Sequence, residues 1–181
     1  MKKLLIPVLL SVFVTAARAQ FSKATLQATG LTCAMCSNAI NKALQQVSFV
    51  ESVQSDIKNS SFAIIFRKDA VVNIDALKEA VEDAGFSVGN LQLTGLFNDI
   101  KVSPDAHMSI GNSHFMFIGV KDQVLSGEKT ITVVDKNFIS EKLFKKYSAS
   151  TKMACVQTGK SGPCCVKSGI AEGERVYHIT I

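Results

Sequence analysis

The order of the hydrophobic repeats between residues 20 and 94 is the feature that most restricts the fold of this chain. Four segments alternate or run apolar in the manner of β-strands, at residues 24–29, 50–57, 62–66 and 86–93. Two segments repeat apolar residues at helical spacing, at residues 37–47 and 74–84. Asn73 suits the N-cap of the second helix, Gly85 suits its left-handed C-terminus, and Gly89-Asn90 suits a bulge. The order βαββαβ predicts an α+β, ferredoxin-like sandwich with both helices on one sheet face.

A pair of thiols lies at the junction of the first strand and the first helix, in Gly30-Leu31-Thr32-Cys33-Ala34-Met35-Cys36-Ser37. The N-terminus of a helix carries partial positive charge and unpaired N–H groups, so it favours thiolate over thiol. Thiolates bind soft metal ions or attack disulfides. Cys33 and Cys36 are therefore predicted to form a soft-metal or redox site.

Residues 22–94 resemble the heavy-metal-associated domain. This domain occurs in copper chaperones, in the N-terminal modules of copper-pumping ATPases and in the periplasmic mercury-binding protein of mercury resistance. The resemblance is carried by the CxxC segment at residues 30–37, by the helix at residues 39–44 and by Ala84-Gly85-Phe86-x-Val88. Leu31 stands where the family usually has methionine, and Phe49 stands where it usually has glycine at the turn into the second strand.

The resemblance implies roles for individual residues of the loop. Cys33 and Cys36 would bind the metal, with Leu31 and Thr32 beside them and Leu31 packing inward. Met35 would point to solvent, and we interpret it as a spacer. Phe86 would lie near the loop, where it either shields the site or serves as an ordinary core aromatic.

Two thiolates without a nearby histidine or carboxylate make an incomplete zinc site, because structural zinc takes four ligands. Cu(I) and Hg(II) are satisfied by two sulfurs and accept a third from a partner. We therefore expect a Cu(I) carrier or scavenger, with Hg(II) as the alternative and Zn(II) third. Its partner would be a metal-transport or metal-accepting protein with an exposed thiol or Met/His site.

A thiol–disulfide oxidoreductase is the competing interpretation, because such enzymes also place CxxC at a helix start. They normally have a cis-proline facing the thiols. The prolines of this chain, Pro7, Pro104 and Pro163, all lie outside the βαββαβ segment. We therefore expect a carrier and no enzymatic activity.

Residues 1–19 are predicted to be a signal peptide. Lys2-Lys3 precedes an apolar run at residues 4–14, and Ala17-Arg18-Ala19 is a cleavage site of the A-x-A type. The run is too short to span a bilayer, which takes about 20 residues. Cleavage leaves 17 basic and 15 acidic residues, a net charge of +2. We expect an exported protein, periplasmic or secreted, without stable membrane insertion and without nucleic acid as a partner.

The remaining residues, 95–181, are predicted to form a separate small β-rich domain of unknown role, with its boundary near Thr94. Strands are predicted at residues 97–102, 114–120, 130–134, 152–157 and 175–181. Ser140 suits the N-cap of a single helix that reaches Tyr147. Three strands, a helix and two strands is the element order of an OB-type barrel.

Two groups of residues in this half could carry chemistry. Cys155 with Cys164 and Cys165 predicts either a disulfide staple from Cys155 to one of the adjacent pair, or a second metal site of three thiols. His107-Met108 and His114-x-Met116 also offer soft or borderline ligands. We interpret the second of these motifs as a polar edge residue and a core methionine on one strand face.

Overall fold

The structure is a computed structural model that describes residues 20–31 and 33–181. The predicted signal segment and Thr32 lie outside the described residues. The elements run β1 (Gln20–Thr29), α1 (Ala34–Gln45), β2 (Val50–Asp56), β3 (Ser61–Phe66), α2 (Ile74–Asp83), β4 (Ser87–Val102), β5 (His107–Ile110), β6 (Ser113–Phe117), β7 (Gln123–Val133), α3 (Glu141–Ser148), α4 (Cys155–Thr158), α5 (Pro163–Val166) and β8 (Val176–Thr180). Among these helices, none combines the length and apolarity needed to cross a membrane.

The N-terminal elements follow the predicted βαββαβ order. Their strands are arranged β2-β3-β1-β4, and every neighbouring pair is antiparallel. Both helices bury their apolar stripes in the core beside this sheet, α1 through Ile40 and Leu44 and α2 through Leu77 and Val81. The α+β class is confirmed.

Several local predictions in this half are confirmed. The Asn73 side chain accepts a hydrogen bond from the backbone N–H of Ala76, and Gly85 has φ +87°. The ladder between β1 and β4 skips Gly89, which forms the bulge. Phe49 is buried and packs edge-on against Phe66, so the aromatic ring that departs from the family pattern joins the core.

The predicted boundary at Thr94 lies inside β4, a strand of 16 residues. The inward alternation of Leu91, Leu93, Gly95 and Phe97 continues through this point without interruption. One edge of β4 pairs with β1 and the other with β7. The two halves of the chain therefore share one sheet and one continuous main core.

The predicted OB-type barrel is wrong. The C-terminal strands extend the first sheet into an eight-stranded sheet with the order β2-β3-β1-β4-β7-β8-β6-β5. Residues 152–157, predicted as a strand, run into the short helix α4, which ends at Gly159 with φ +68°. A short apolar run does not by itself distinguish a strand from a helix.

The predicted cap at Ser140 is confirmed, since its hydroxyl accepts a hydrogen bond from Leu143 N.

β8 is buried on both faces, and so are the last three residues of β6. Phe115 and Phe117 of β6 belong to the main core, whereas Met116 between them belongs to a second core on the opposite face. Helices α3, α4 and α5 contribute to this second core. It comprises Met116, Ile118, Val134, Ile139, Phe144, Cys155, Val156, Cys165, Ile170 and Val176.

A partly buried guanidinium ties the two halves together. Arg175 Nε donates to Asp75 Oδ2 of α2 at 2.9 Å, and its Nη2 donates to Asp135 Oδ2 at 2.8 Å. Lys23 and Glu128 form a second ion pair between the halves at 3.0 Å, but both side chains are largely exposed.

These two ion pairs should differ sharply in their contribution to stability. We expect Arg175→Ala to lower the free energy of unfolding by about 3 kcal/mol, because it leaves the buried Asp135 carboxylate without its guanidinium partner. The matched control Lys23→Ala, which breaks the exposed pair with Glu128, should cost under about 1 kcal/mol. Chemical denaturation followed by circular dichroism measures both, and equal losses would contradict the assignment.

Candidate metal centre

The thiols of Cys33 and Cys36 lie together where β1 passes into α1. β1 ends at Thr29, and Gly30 turns the chain with φ +85°. Cys33 is the N-cap of α1 in an extended conformation, and its side chain makes no capping hydrogen bond. Cys36 lies in the first turn, and the two Sγ atoms are 3.0 Å apart. The predicted pair is thus brought into contact.

The surroundings of this pair favour negative charge and easy access. The first turn of α1 holds no acidic residue, so the partial positive charge of the helix N-terminus is not neutralised there. Cys33 is exposed, and Met35 between the thiols is 83% exposed. A partner protein can therefore approach the sulfur atoms directly.

The residues predicted beside the loop lie on its core side. Leu31 is half-buried and packs against the main core. The ring of Phe86 is also half-buried, and a Cβ placed on Gly30 would lie 3.9 Å from Phe86 Cδ1. Phe86 therefore lies beside the loop, as the resemblance implied. Thr32 is outside the described residues.

The second predicted set, Cys155 with Cys164 and Cys165, also comes together; we call it the thiol cluster. Its three Sγ atoms all lie within 4.8 Å of one another, and those of the adjacent pair are 3.7 Å apart. Two of the residues are buried, and Cys164 is half-buried. All five cysteines belong to the described part of the chain, and all five are thiols there.

The thiol cluster has neighbours that the sequence analysis did not single out. His178 Nε2 lies 3.5 Å from Cys155 Sγ, and His178 Nδ1 lies 2.6 Å from Asp135 Oδ1. Both residues are buried. Met116 Sδ lies 3.8 Å from Cys155 Sγ. His178 could have been found only through the strand register, which places it opposite Met116.

Burial controls the acidity of Cys155. Desolvation raises the pKa of Cys155 to about 12, and hydrogen bonding with Cys165 and Cys164 adds to the effect. Without a metal ion, Cys155 therefore remains a protonated thiol at neutral pH.

Comparison with known proteins assigns the first half of the chain. The family model for the heavy-metal-associated domain matches residues 25–87, which end where β4 begins. The mercuric transport protein periplasmic component of Acinetobacter calcoaceticus is 34% identical over 86 residues, covering 48% of this chain and 93% of that protein. The chain belongs to the heavy-metal-associated domain family.

Two further relatives are similar over shorter lengths of this chain. The copper chaperone CopZ of Staphylococcus aureus is 28% identical over 67 residues, which are 37% of this chain and 97% of CopZ. The probable copper-transporting ATPase HMA5 of Arabidopsis thaliana is 28% identical over 71 residues. That match covers 39% of this chain and only 7% of the ATPase.

The two sets of thiols should differ in reactivity. With iodoacetamide at pH 8, we expect Cys33 to be alkylated at least about 100-fold faster than Cys155, because alkylation requires an accessible thiolate. A thiol with a pKa of about 12 is ionised in only about one molecule in ten thousand at pH 8. Peptide mass spectrometry after timed labelling measures both rates.

Unfolding provides the control for this experiment. In denaturant all five thiols should be labelled at similar rates, because burial and the fold no longer distinguish them. Labelling of Cys155 as fast as Cys33 in the folded protein would show that the cluster is open.

Proposed function

We propose that this protein is an exported Cu(I) carrier that holds the ion between Cys33 and Cys36 and passes it to a metal-accepting protein. The observation that carries the proposal is the contact of two sulfur atoms, 3.0 Å apart, at an accessible helix N-terminus. Relatives named as a copper chaperone and as a mercuric transport protein support the same chemistry. The name of the latter also supports a periplasmic location.

Metal binding requires a small rearrangement of the pair. With metal–sulfur bonds of about 2.3 Å, two sulfurs are separated by about 4.0 Å around a trigonal ion and by about 4.6 Å around a linear one. The metal-free separation is 3.0 Å, so one side chain moves outward. Cys33 is the side chain free to do so, since it is exposed and makes no capping hydrogen bond.

Transfer then proceeds by exchange of ligands. A thiolate of the accepting protein adds to the two-coordinate ion, and one original cysteine leaves the resulting three-coordinate bridge. The oxidation state of the metal does not change, and we propose no catalytic activity. Met35 is 83% exposed, so its side chain extends into solvent and leaves the sulfur atoms open to the incoming ligand.

Hg(II) binding is the second candidate. The same two thiolates suit it, and the mercuric transport relative is the more similar of the two small relatives, at 34% identity. Copper transfer and mercury transfer would use the same residues. A competition between the two ions at the same pair decides which is preferred.

We expect the double variant Cys33→Ser, Cys36→Ser to lose one equivalent of Cu(I), the ion that the CxxC pair exchanges rapidly with other ligands. Its affinity at this site should fall at least about 100-fold, because both soft ligands are replaced by hydroxyls. Stopped-flow transfer of Cu(I) from the reduced protein to a chromophoric chelator measures the exchange.

Met35→Leu is the matched control, because it changes the residue between the thiols without removing a thiolate. It should keep the rapid equivalent with nearly unchanged affinity. Retention of this equivalent by the double cysteine variant would refute the assignment. A cysteine pair that cycles between thiol and disulfide but binds no copper would favour the oxidoreductase.

A further inference from the structure

Three strands place potential ligands in a row on the face of the sheet beside the thiol cluster. The register pairs His107 of β5 with Met116 of β6, and Met116 with His178 of β8. Directly paired residues of neighbouring strands project from the same face. We call these residues the cross-strand row. Met116 belongs to the second core together with Cys155 and Cys165, so the row faces the helices that carry the thiols.

The spacing of the thiol cluster matches a three-coordinate ion before any metal is bound. Its adjacent sulfurs are 3.7 Å apart, and no pair of the three exceeds 4.8 Å. A trigonal ion with bonds of about 2.3 Å needs sulfurs separated by about 4.0 Å. The CxxC pair, at 3.0 Å, has to open, whereas the cluster needs only minor adjustment.

We propose that Cys155, Cys164 and Cys165 form a second Cu(I) site, separate from the CxxC pair, with the Met116 thioether beside it. Binding of one Cu(I) ion forms three copper–sulfur bonds and releases three thiol protons, with no change of oxidation state. His178 hydrogen-bonds the sulfur of Cys155 and is itself held by a carboxylate. Such outer contacts orient ligands and tune metal sites.

The donor set favours Cu(I) over zinc. In the described part of the chain, three thiols form the group of ligand atoms that all lie within 4.8 Å of one another. His178 Nε2 lies 3.5 Å from Cys155 Sγ but is outside that group, and the contact is a hydrogen bond to one sulfur. Structural zinc takes four ligands from cysteine, histidine and carboxylates. The additional sulfur near Cys155 is the thioether of Met116, which is a soft ligand suited to Cu(I).

A buried nitrogen of His107, on the face of the sheet that carries the cross-strand row, is a second and independent indication of a ligand. Nε2 of His107 is buried and has no hydrogen-bond partner among the residues that the structure describes. Its Nδ1 lies 3.4 Å from the hydroxyl of Ser168, just beyond α5 and its two cysteines. Buried polar groups without partners are costly, so they commonly mark functional sites.

Burial predicts that the second site exchanges its ion slowly. Cys155 and Cys165 are 2% and 0% exposed, so an accepting thiolate cannot reach them without local opening. Cys164 is half-buried and offers the route of entry. The protein would then hold one ion for rapid transfer and one ion in a protected store.

The test is to remove the CxxC site by substitution and to measure Cu(I) binding at the thiol cluster alone. In the full mature chain carrying Cys33→Ser and Cys36→Ser, the reduced protein should keep one tight equivalent of Cu(I). Copper X-ray absorption should show three sulfur neighbours. Release to a chromophoric chelator should be at least about 10-fold slower than from the CxxC pair of the unsubstituted protein. Adding Cys164→Ser should lower the affinity at least about 100-fold.

Val156→Ala is the matched control, because it perturbs packing next to Cys155 without removing a sulfur and should keep the equivalent. Circular dichroism verifies that each variant is folded. If Cys164→Ser does not fold, the number of sulfur neighbours measured by X-ray absorption still tests the proposal, because that measurement uses the Cys33→Ser, Cys36→Ser variant with its thiol cluster intact. The proposal is overturned if the reduced CxxC variant binds no Cu(I), if zinc binds the cluster and Cu(I) does not, or if the natively purified protein joins Cys155 to either neighbour in a disulfide.

Discussion

The two-sided pairing of β4 is the constraint on which the rest of the structure depends. Its first residues complete the sheet of the heavy-metal-associated domain against β1, and its whole second half is held by β7. Without the pairing between β4 and β7, the C-terminal strands would not be joined to the first sheet. The second core would then have no continuous sheet to pack against. The family domain and the C-terminal extension therefore form one continuous sheet, with Arg175 bridging from the extension to α2.

The two groups of thiols offer the same donor atom in opposite surroundings, which suit the two different tasks that we propose. At the start of α1 the two sulfurs are close together, with Cys33 exposed and Cys36 half-buried, so an ion bound there would remain accessible to a partner. In the second core the sulfurs are three, spaced for direct coordination and enclosed by apolar side chains and by His178. Accessibility favours transfer, and enclosure favours retention.

The features that depend on local periodicity were predicted correctly from the sequence. The features that depend on the pairing of distant strands were not. The βαββαβ half, the caps at Asn73 and Ser140 and the bulge at Gly89 are local features, and all are present. The barrel was wrong because the C-terminal strands extend the first sheet and residues 152–157 contain a helix start. The predicted boundary at Thr94 lies inside β4, which continues past it. The thiol cluster was visible from cysteine spacing. His178 was not, because its position opposite Met116 is set by a parallel pairing of strands distant in sequence.

The measurement that tests this account most directly is the release of Cu(I) from the unsubstituted protein loaded with two equivalents, followed by stopped flow with excess chromophoric chelator. We expect two phases of equal amplitude, a fast one from the CxxC pair and a slow one from the thiol cluster. Release of all bound copper in a single fast phase would contradict this, because it would leave the three thiols of the cluster without a role in holding the metal.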